Sequence, residues 1–142
     1  FNIIGMNSAL IEMDNSGNYI FSSYGWATAR DWTKFGLLYL NKGNWFGREV
    51  FSKQWAGYSV TPVSSSENKY GAQIWLNLGG KKQPSVPEDA FLADGYGGQK
   101  VMVIPSKDMV VVILSGRQKD FGFNSFYIKV FDCFNCCSNF LF

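Results

Sequence analysis

The chain of 142 residues contains no histidine, and this absence excludes more classes of function than any other feature of its composition. Without histidine, the chain cannot form a Ser-His-Asp or Cys-His arrangement for nucleophilic catalysis. The same absence excludes zinc sites that use a histidine ligand, including the HExxH type. Hydrolytic chemistry within this chain would therefore need lysine, tyrosine, aspartate or glutamate as its base.

Cysteine, net charge and long apolar runs are also scarce. The three cysteines are confined to the C-terminal tail, as Cys133, Cys136 and Cys137, and no second Cys-x-x-Cys completes a zinc site. We therefore predict no disulfide framework, no metal site and no cofactor. The net charge is only +2, which argues against a nucleic-acid partner. No apolar run approaches the length of a membrane span.

What is present indicates a folding chain. Apolar residues make up 46% and aromatic residues 18% of the sequence, which is enough for one hydrophobic core. Neither a repeat nor an internal boundary divides it, so we predict a single domain over residues 1–142. The chain opens on Phe1 and not on methionine, which predicts that this domain is partial, a fragment or a processed piece.

Helical spacing marks three segments. Residues 29 to 41 carry apolar residues at i, i+3, i+4 and i+7, and Thr28 with Asp31 forms a T-x-x-D capping box at its start. Gly36 in the middle of this helix indicates close packing. Residues 51 to 60 predict a short second helix capped by Ser52. The spacing from Phe123 to Phe134 predicts a helix over one face of a sheet.

The sheet is predicted from the second half of the chain. Two β-rich runs, residues 101–104 and 109–114, flank turn chemistry at residues 105–108, which predicts a tight hairpin. Residues 90–94 and 70–77 predict two further strands, whereas residues 79–87 predict an exposed excursion. A shorter hairpin is predicted around the turn residues 14–18. Short connections between successive strands imply an antiparallel sheet, so the fold class is α+β, with helices covering the sheet.

A glycine-rich turn directly precedes the main hairpin. Gly95, Tyr96, Gly97 and Gly98 form it, and glycine allows positive φ and a close approach of the backbone. One interpretation is an ordinary chain reversal. The other is a backbone cradle at the edge of an active site.

These residues resemble the serine β-lactamase-like hydrolases, which include class C β-lactamases, penicillin-binding carboxypeptidases, esterases of that fold and 6-aminohexanoate-dimer hydrolase. Residues 27–47 resemble the middle of that family, and Tyr70-Gly-Ala-Gln-Ile-Trp75 resembles a sheet strand. Phe91-x-Ala93-x-Gly95-Tyr96-Gly97-Gly98-Gln99 resembles the third active-site box. The resemblance implies the C-terminal part of a β-lactamase/transpeptidase-like fold, and its chemistry needs Ser-x-x-Lys and Tyr-x-Asn motifs.

Both motifs occur here by letter. Ser66-Glu-Asn-Lys69 matches the first and Tyr39-Leu-Asn41 the second. We reject both, because Ser66 lies in a predicted polar loop, Tyr39 ends an amphipathic helix, and their order is the reverse of the family's. We therefore assign no catalytic residue to this chain and expect the nucleophile upstream of Phe1.

Three functional hypotheses follow. The first is the C-terminal part of a serine hydrolase that cleaves an ester, amide or peptide-like bond through an acyl-enzyme, with the turn Gly95, Tyr96, Gly97 and Gly98 binding a small-molecule or peptide-like substrate in the full-length parent. The second is a non-catalytic binding or scaffold module of the same fold. The third is an unrelated α+β interaction domain, which is favoured if no sheet pairs residues 73–78 with the hairpin.

Overall fold

A computed structural model describes residues 1–20, 23–116 and 121–138. Within them, three helices and eight strands follow one another along the chain. The helices are α1 (Ala29–Leu40), α2 (Lys53–Ser59) and α3 (Phe123–Ser138). The strands are β1 (Leu10–Ile11), β2 (Gly25–Trp26), β3 (Asn44–Trp45), β4 (Arg48–Glu49), β5 (Trp75–Leu76), β6 (Phe91–Asp94), β7 (Lys100–Ile104) and β8 (Met109–Ile113).

The main sheet is antiparallel and has the order β5-β6-β7-β8. Its registers pair Leu92 with Met102 and Val101 with Val112. The hairpin therefore lies next to β6, as predicted, and the α+β class with an antiparallel sheet is confirmed. Strand β5 belongs to the same sheet as the hairpin. The hypothesis of an unrelated interaction domain, which is favoured if residues 73–78 lie outside this sheet, is therefore not supported.

Alternation along β7 explains why the sheet needs cover on both faces. Val103 belongs to a buried cluster that contacts Tyr39 and Leu40 of α1. Its neighbours Met102 and Ile104 belong to a second cluster that contains Tyr127 of α3. Since successive side chains of a strand point to opposite faces, β7 is buried on both of them. Helices α1 and α3 thus cover the two faces of one sheet.

The N-terminus of α1 uses half of the predicted capping box. The Thr28 hydroxyl accepts a hydrogen bond from the Asp31 backbone N–H at 3.4 Å. The Asp31 carboxylate does not return the bond, because the Thr28 N–H donates to the Ser8 hydroxyl at 3.0 Å. Asp31 instead accepts from the Ser8 N–H and pairs with Lys34. The carboxylate thereby joins the N-terminal segment to the helix.

Gly36 is the point of closest approach between α1 and the sheet. A Cβ atom built on Gly36 would lie 2.5 Å from Val110 Cγ1 and 3.1 Å from Val101 Cγ1. The close packing predicted from this glycine is therefore confirmed, and the contact is with the β7–β8 hairpin. Glycine costs about 1 kcal/mol relative to alanine in a helix interior, and this contact is the physical reason to retain it.

Two predictions in the middle of the chain are wrong in part. The strand predicted over residues 70–77 is reduced to β5, because Gln73 takes a φ of 62° and the chain folds back so that Tyr70 bridges Trp75. The predicted exposed excursion is in fact anchored. The buried Asn77 amide donates to the carbonyls of Gln83, Val86 and Pro87, at 3.0–3.1 Å. One polar side chain therefore folds the loop onto the domain.

The terminal segments follow the predictions more loosely. Asp14 organises the turn through its carboxylate, which accepts from the Ser16 and Asn18 N–H groups, and Met13 bridges Tyr19. The regular pairing at this end, however, joins β1 to β2. Helix α3 continues beyond Phe134, where the predicted helical spacing ends, to Ser138. Among the described residues, no helix is both long and apolar enough to cross a membrane.

Candidate functional site

The glycine turn connects β6 to β7 at one end of the sheet. Tyr96 to Gly98 form a short 3-10 turn in which φ is 73° at Gly97 and 89° at Gly98. Both values lie in the left-handed region, which glycine adopts without the strain that a side chain brings. The Gly95 N–H donates to the Gln99 carbonyl at 2.8 Å and closes the base of the turn.

A polar network fixes the turn to the end of β8. The Ser115 N–H donates to Gln99 Oε1 at 3.0 Å, and Gln99 Nε2 donates to the Ser115 carbonyl. The Ser115 hydroxyl donates to the Gly97 carbonyl at 2.7 Å. The turn is thus held from the neighbouring strand by three side-chain hydrogen bonds.

A cluster of three charges lies at the base of the turn. Asp94 Oδ1 pairs with Lys100 Nζ at 2.8 Å, and Asp94 Oδ2 pairs with Lys82 Nζ at 2.9 Å. Lys82 lies over the Trp75 ring, at 3.8 Å from its centroid, and Lys100 lies over the Phe123 ring at 4.5 Å. Lys100 is only 6% exposed. Each cation therefore has both a carboxylate and an aromatic partner.

Sequence reasoning missed this cluster. Lys82 belongs to the loop predicted to be exposed, and Lys100 directly precedes the first predicted β-rich run, residues 101–104, and was given no role. The register supplies the missing information, since Asp94 and Lys100 are cross-strand partners in β6 and β7. An acidic and a basic residue flanking a five-residue turn is a sequence signal for such a pair.

Two ionisable groups near the turn have shifted pKa values. Burial raises the pKa of Asp94, but the hydrogen bonds from Lys100 and Lys82 outweigh it, so this pKa lies below its ordinary value. Burial raises the pKa of the Tyr127 hydroxyl, and the charge of Asp94 adds to that rise. Both shifts keep the site in one charge state, with Asp94 ionised and Tyr127 neutral.

Tyr96 is the most exposed residue of the turn. Its side chain is fully exposed, whereas Gly97 and Gly98 are partly covered. A Cβ atom at Gly98 would lie 3.3 Å from the Phe123 ring and 3.4 Å from the Ser115 hydroxyl. Gly98 thus faces inward to α3, and Tyr96 marks the outer edge of the turn.

In the structure, the residues of the two rejected motifs make local structural contacts. The Ser66 hydroxyl donates to the Val63 carbonyl at 2.6 Å and accepts from the Tyr70 N–H, which makes it part of its own turn. Lys69 pairs with Glu67 on the surface. Tyr39 packs against Phe51, with the ring centroids 5.0 Å apart. These contacts give each residue a local structural role.

A separate groove of about 250 Å³ lies at the other end of the sheet. Its walls come from the end of α1, from α2 and from β6, and Pro105 closes one side. Since β7 begins just after the glycine turn, at Lys100, and ends at Ile104, next to Pro105, this groove is one strand length away from the turn. The described residues include no group of three His, Cys, Asp or Glu side chains that could hold a metal ion.

Solved structures share this fold. A protein described as a 6-aminohexanoate-dimer hydrolase, from Bacillus anthracis, superimposes with a TM-score of 0.70 at 24% identity, over 89% of this chain and 34% of its own. One described as a β-lactamase, from Bacteroides dorei DSM 17855, gives a TM-score of 0.57 at 15% identity, over 84% of this chain and 43% of its own. The chain therefore has a β-lactamase-like fold and spans less than half of either structure.

No family model and no curated protein sequence matches the chain. The fold is accordingly established by the shape of the chain and not by a close sequence relative.

Proposed function

We propose that this chain is the C-terminal part of a serine hydrolase that cleaves an ester, amide or peptide-like bond through an acyl-enzyme. Residues 1–142 form one partial domain in this proposal, and the nucleophile belongs to a segment outside them. The observation that carries it is the position of the glycine turn. In a β-lactamase-like sheet, Gly95, Tyr96, Gly97 and Gly98 bring backbone to the end of β6, with Tyr96 fully exposed.

The role proposed for the turn is electrostatic. When a serine hydroxyl adds to the substrate carbonyl carbon, the π electrons of that bond move to the oxygen. Backbone N–H groups directed at this oxygen stabilise the charge more in the transition state than in the ground state. The alcohol or amine then leaves with a proton, and water hydrolyses the acyl-serine. The resemblance implies that a lysine or tyrosine of the complete protein acts as the base, and this chain contributes no histidine to the site.

One observation favours a second candidate, a non-catalytic binding or scaffold module of this fold. The resemblance leads us to expect a lysine or histidine in the third box, and Tyr96-Gly97-Gly98 stands there instead. Lys82 and Lys100 do not replace that cation, because both are paired with Asp94. This pattern agrees with an enzyme whose substrate is neutral. It agrees also with a binding surface that has lost its catalytic function.

Covalent labelling tests the proposal. We expect the 142-residue chain alone to remain unlabelled by a fluorophosphonate or penicillin-type probe, and the complete protein to be labelled at a serine outside it. Stoichiometric labelling of Ser66, mapped by mass spectrometry, would contradict our rejection of the Ser66–Lys69 motif. A complete protein that neither labels nor turns over any ester or amide would favour the scaffold module.

Substitutions in the turn test the proposed role of its backbone. In the complete protein, Gly98→Val should lower kcat by about 10²-fold or more, comparable to the loss of one oxyanion donor. The side chain would strain a φ of 89° and push against Phe123, and so displace the turn. Tyr96→Phe is the matched control and should cost much less, since only an exposed hydroxyl is removed. Equal turnover of Gly98→Val and the unchanged protein would make the turn a mere chain reversal.

A further inference from the structure

The contact between Gln99 and Ser115 continues the β7–β8 ladder beyond its last backbone pair. The ladder ends where Lys100 pairs with Ile113. Two residues beyond the end of β8, the Ser115 N–H and C=O both bind the side-chain amide of Gln99. The Gln99 side-chain amide therefore takes the place that a backbone peptide of the turn would occupy in a regular ladder. The backbone of the turn can then leave the sheet, because the N–H and C=O of Ser115 still have hydrogen-bond partners.

The Ser115 hydroxyl adds a direct hold on the turn. It donates to the Gly97 carbonyl at 2.7 Å. In a trans peptide the C=O and the following N–H point in opposite directions. The hydroxyl therefore sets the direction of the whole Gly97–Gly98 peptide, with its carbonyl toward β8 and its N–H away from it.

Such a hold matters here because the turn has little intrinsic preference. Glycine populates positive and negative φ about equally, so a peptide between two glycines rotates at low cost unless an outside group selects one state. Gly97 and Gly98 are such a pair, at φ values of 73° and 89°. Within the described residues, the side-chain hydrogen bond to this turn comes from Ser115, and the side chain of Gln99, which directly follows the turn, is bound to the Ser115 backbone.

We propose that Ser115 and Gln99 are positioning residues, which hold the glycine turn in the one peptide orientation that presents its N–H groups to the substrate carbonyl. This inference rests on the proposed function and adds to it Ser115, which lies outside the third box, and Gln99, the last residue of that box. Neither residue touches the reacting atoms. Their effect is on the transition state through the backbone, since an oxyanion donor must be aimed before the charge develops.

The test compares Ser115→Ala with Ser115→Thr in the complete protein. Ser115→Ala should lower kcat about 10-fold or more while KM stays within about 2-fold, because misdirected donors weaken binding of the transition state more than that of the substrate. Ser115→Thr keeps the hydroxyl and should restore most of kcat. The matched control is Ser106→Ala, which removes a hydroxyl bound to Asp89 in the turn at the other end of the hairpin.

An NMR measurement on the same variants reports the geometry without turnover. With ¹³C-labelled glycine, the Gly97 carbonyl shift should move in Ser115→Ala and return in Ser115→Thr, because it reports the hydrogen bond to that oxygen. An active protein in which Ser115→Ala keeps its kcat would overturn the inference and leave the proposed function standing. The inference would also be overturned if Ser115→Ala lost kcat together with a lower Tm and Ser115→Thr did not restore that kcat. Such a result would indicate a purely structural role of Ser115. If the complete protein without any substitution showed no turnover, the proposed function itself would be overturned, and the positioning role of Ser115 and Gln99 with it.

Discussion

On the α1 side of the sheet, Gly36 brings the helix backbone against Val101 and Val110, and the contact is apolar throughout. On the α3 side, the same strands bury Lys100 and the Tyr127 hydroxyl beside apolar residues. The first face depends on shape, because a close-packed contact has no room for another methyl group. The second depends on charge pairing, since a buried cation needs a partner. The glycine turn lies at the end of the second face.

The largest effect is expected where shape alone decides. Gly36→Leu should lower the free energy of unfolding by about 3 kcal/mol, because overpacking forces the helix and the hairpin apart. Chemical denaturation of the purified variant measures it. Gly57→Ala in α2 is the matched control: the added Cβ has nothing within 4 Å. It should stabilise the protein by up to about 1 kcal/mol through helix propensity. A Gly36→Leu protein of unchanged stability would disprove the close contact.

The next effect tests the charged face. Asp94→Asn leaves Lys82 and Lys100 without a counter-charge, and Lys100 is buried. Removing one partner of a buried pair costs about 3–5 kcal/mol, but Asp94 is one-fifth exposed, so we expect about 2 kcal/mol. Glu67→Gln is the control on an exposed pair with Lys69 and should change stability by less than about 0.5 kcal/mol. Equal effects of the two substitutions would mean that water screens Asp94 as fully as Glu67.

The sequence predicted the α1 face of the sheet better than the α3 face. The helix, the hairpin and Gly36 followed from local rules, because apolar period, turn residues and capping act over a few neighbouring positions. The Asp94–Lys100–Lys82 cluster did not, because it depends on strand register and on a loop that returns to the sheet. Asn77 is the cause of that return, and its three carbonyl partners lie six to ten residues away. A lone asparagine at a strand end carries no signal for such a set of bonds.

The site shows the same division. Positive φ at Gly97 and Gly98 followed from residue type. The hold by Ser115 did not, since Gln99 and Ser115 are 16 positions apart and meet only through the β7–β8 register. The direction of Cβ at Gly98, toward Phe123, likewise depends on where α3 lies. The substrate-binding role of the turn itself stays a prediction.

A smaller effect is expected from acid, which should remove the stability that Asp31 contributes on the α1 side of the sheet. Hydrogen bonds from Lys34 and Ser8 lower the pKa of Asp31, on α1, from 3.8 to about 2. A depressed pKa stabilises the folded state above the unfolded pKa, and this contribution disappears as pH falls through the folded pKa. We therefore expect Asp31→Asn to be less stable than the unchanged protein at pH 5 to 7, with the difference shrinking from about pH 4 to about pH 2. Thermal unfolding across this range measures it, and a pH-independent difference would contradict the assignment.

The smallest effect is expected at Tyr127, on the charged face. Its ring, on α3, is fully buried against the sheet, and within the described part of the chain its hydroxyl has no hydrogen-bond partner. An unsatisfied buried hydroxyl costs about 1–3 kcal/mol, and phenylalanine has the same ring without it. Tyr127→Phe should therefore leave stability unchanged or raise it by about 1 kcal/mol, as measured by denaturation. Tyr58→Phe, at an exposed position, should change it by less than about 0.5 kcal/mol. A loss of more than about 1 kcal/mol at Tyr127 would mean that a buried water or a shifted Asp94 satisfies the hydroxyl, so that this face depends on a polar network and not on one charge cluster.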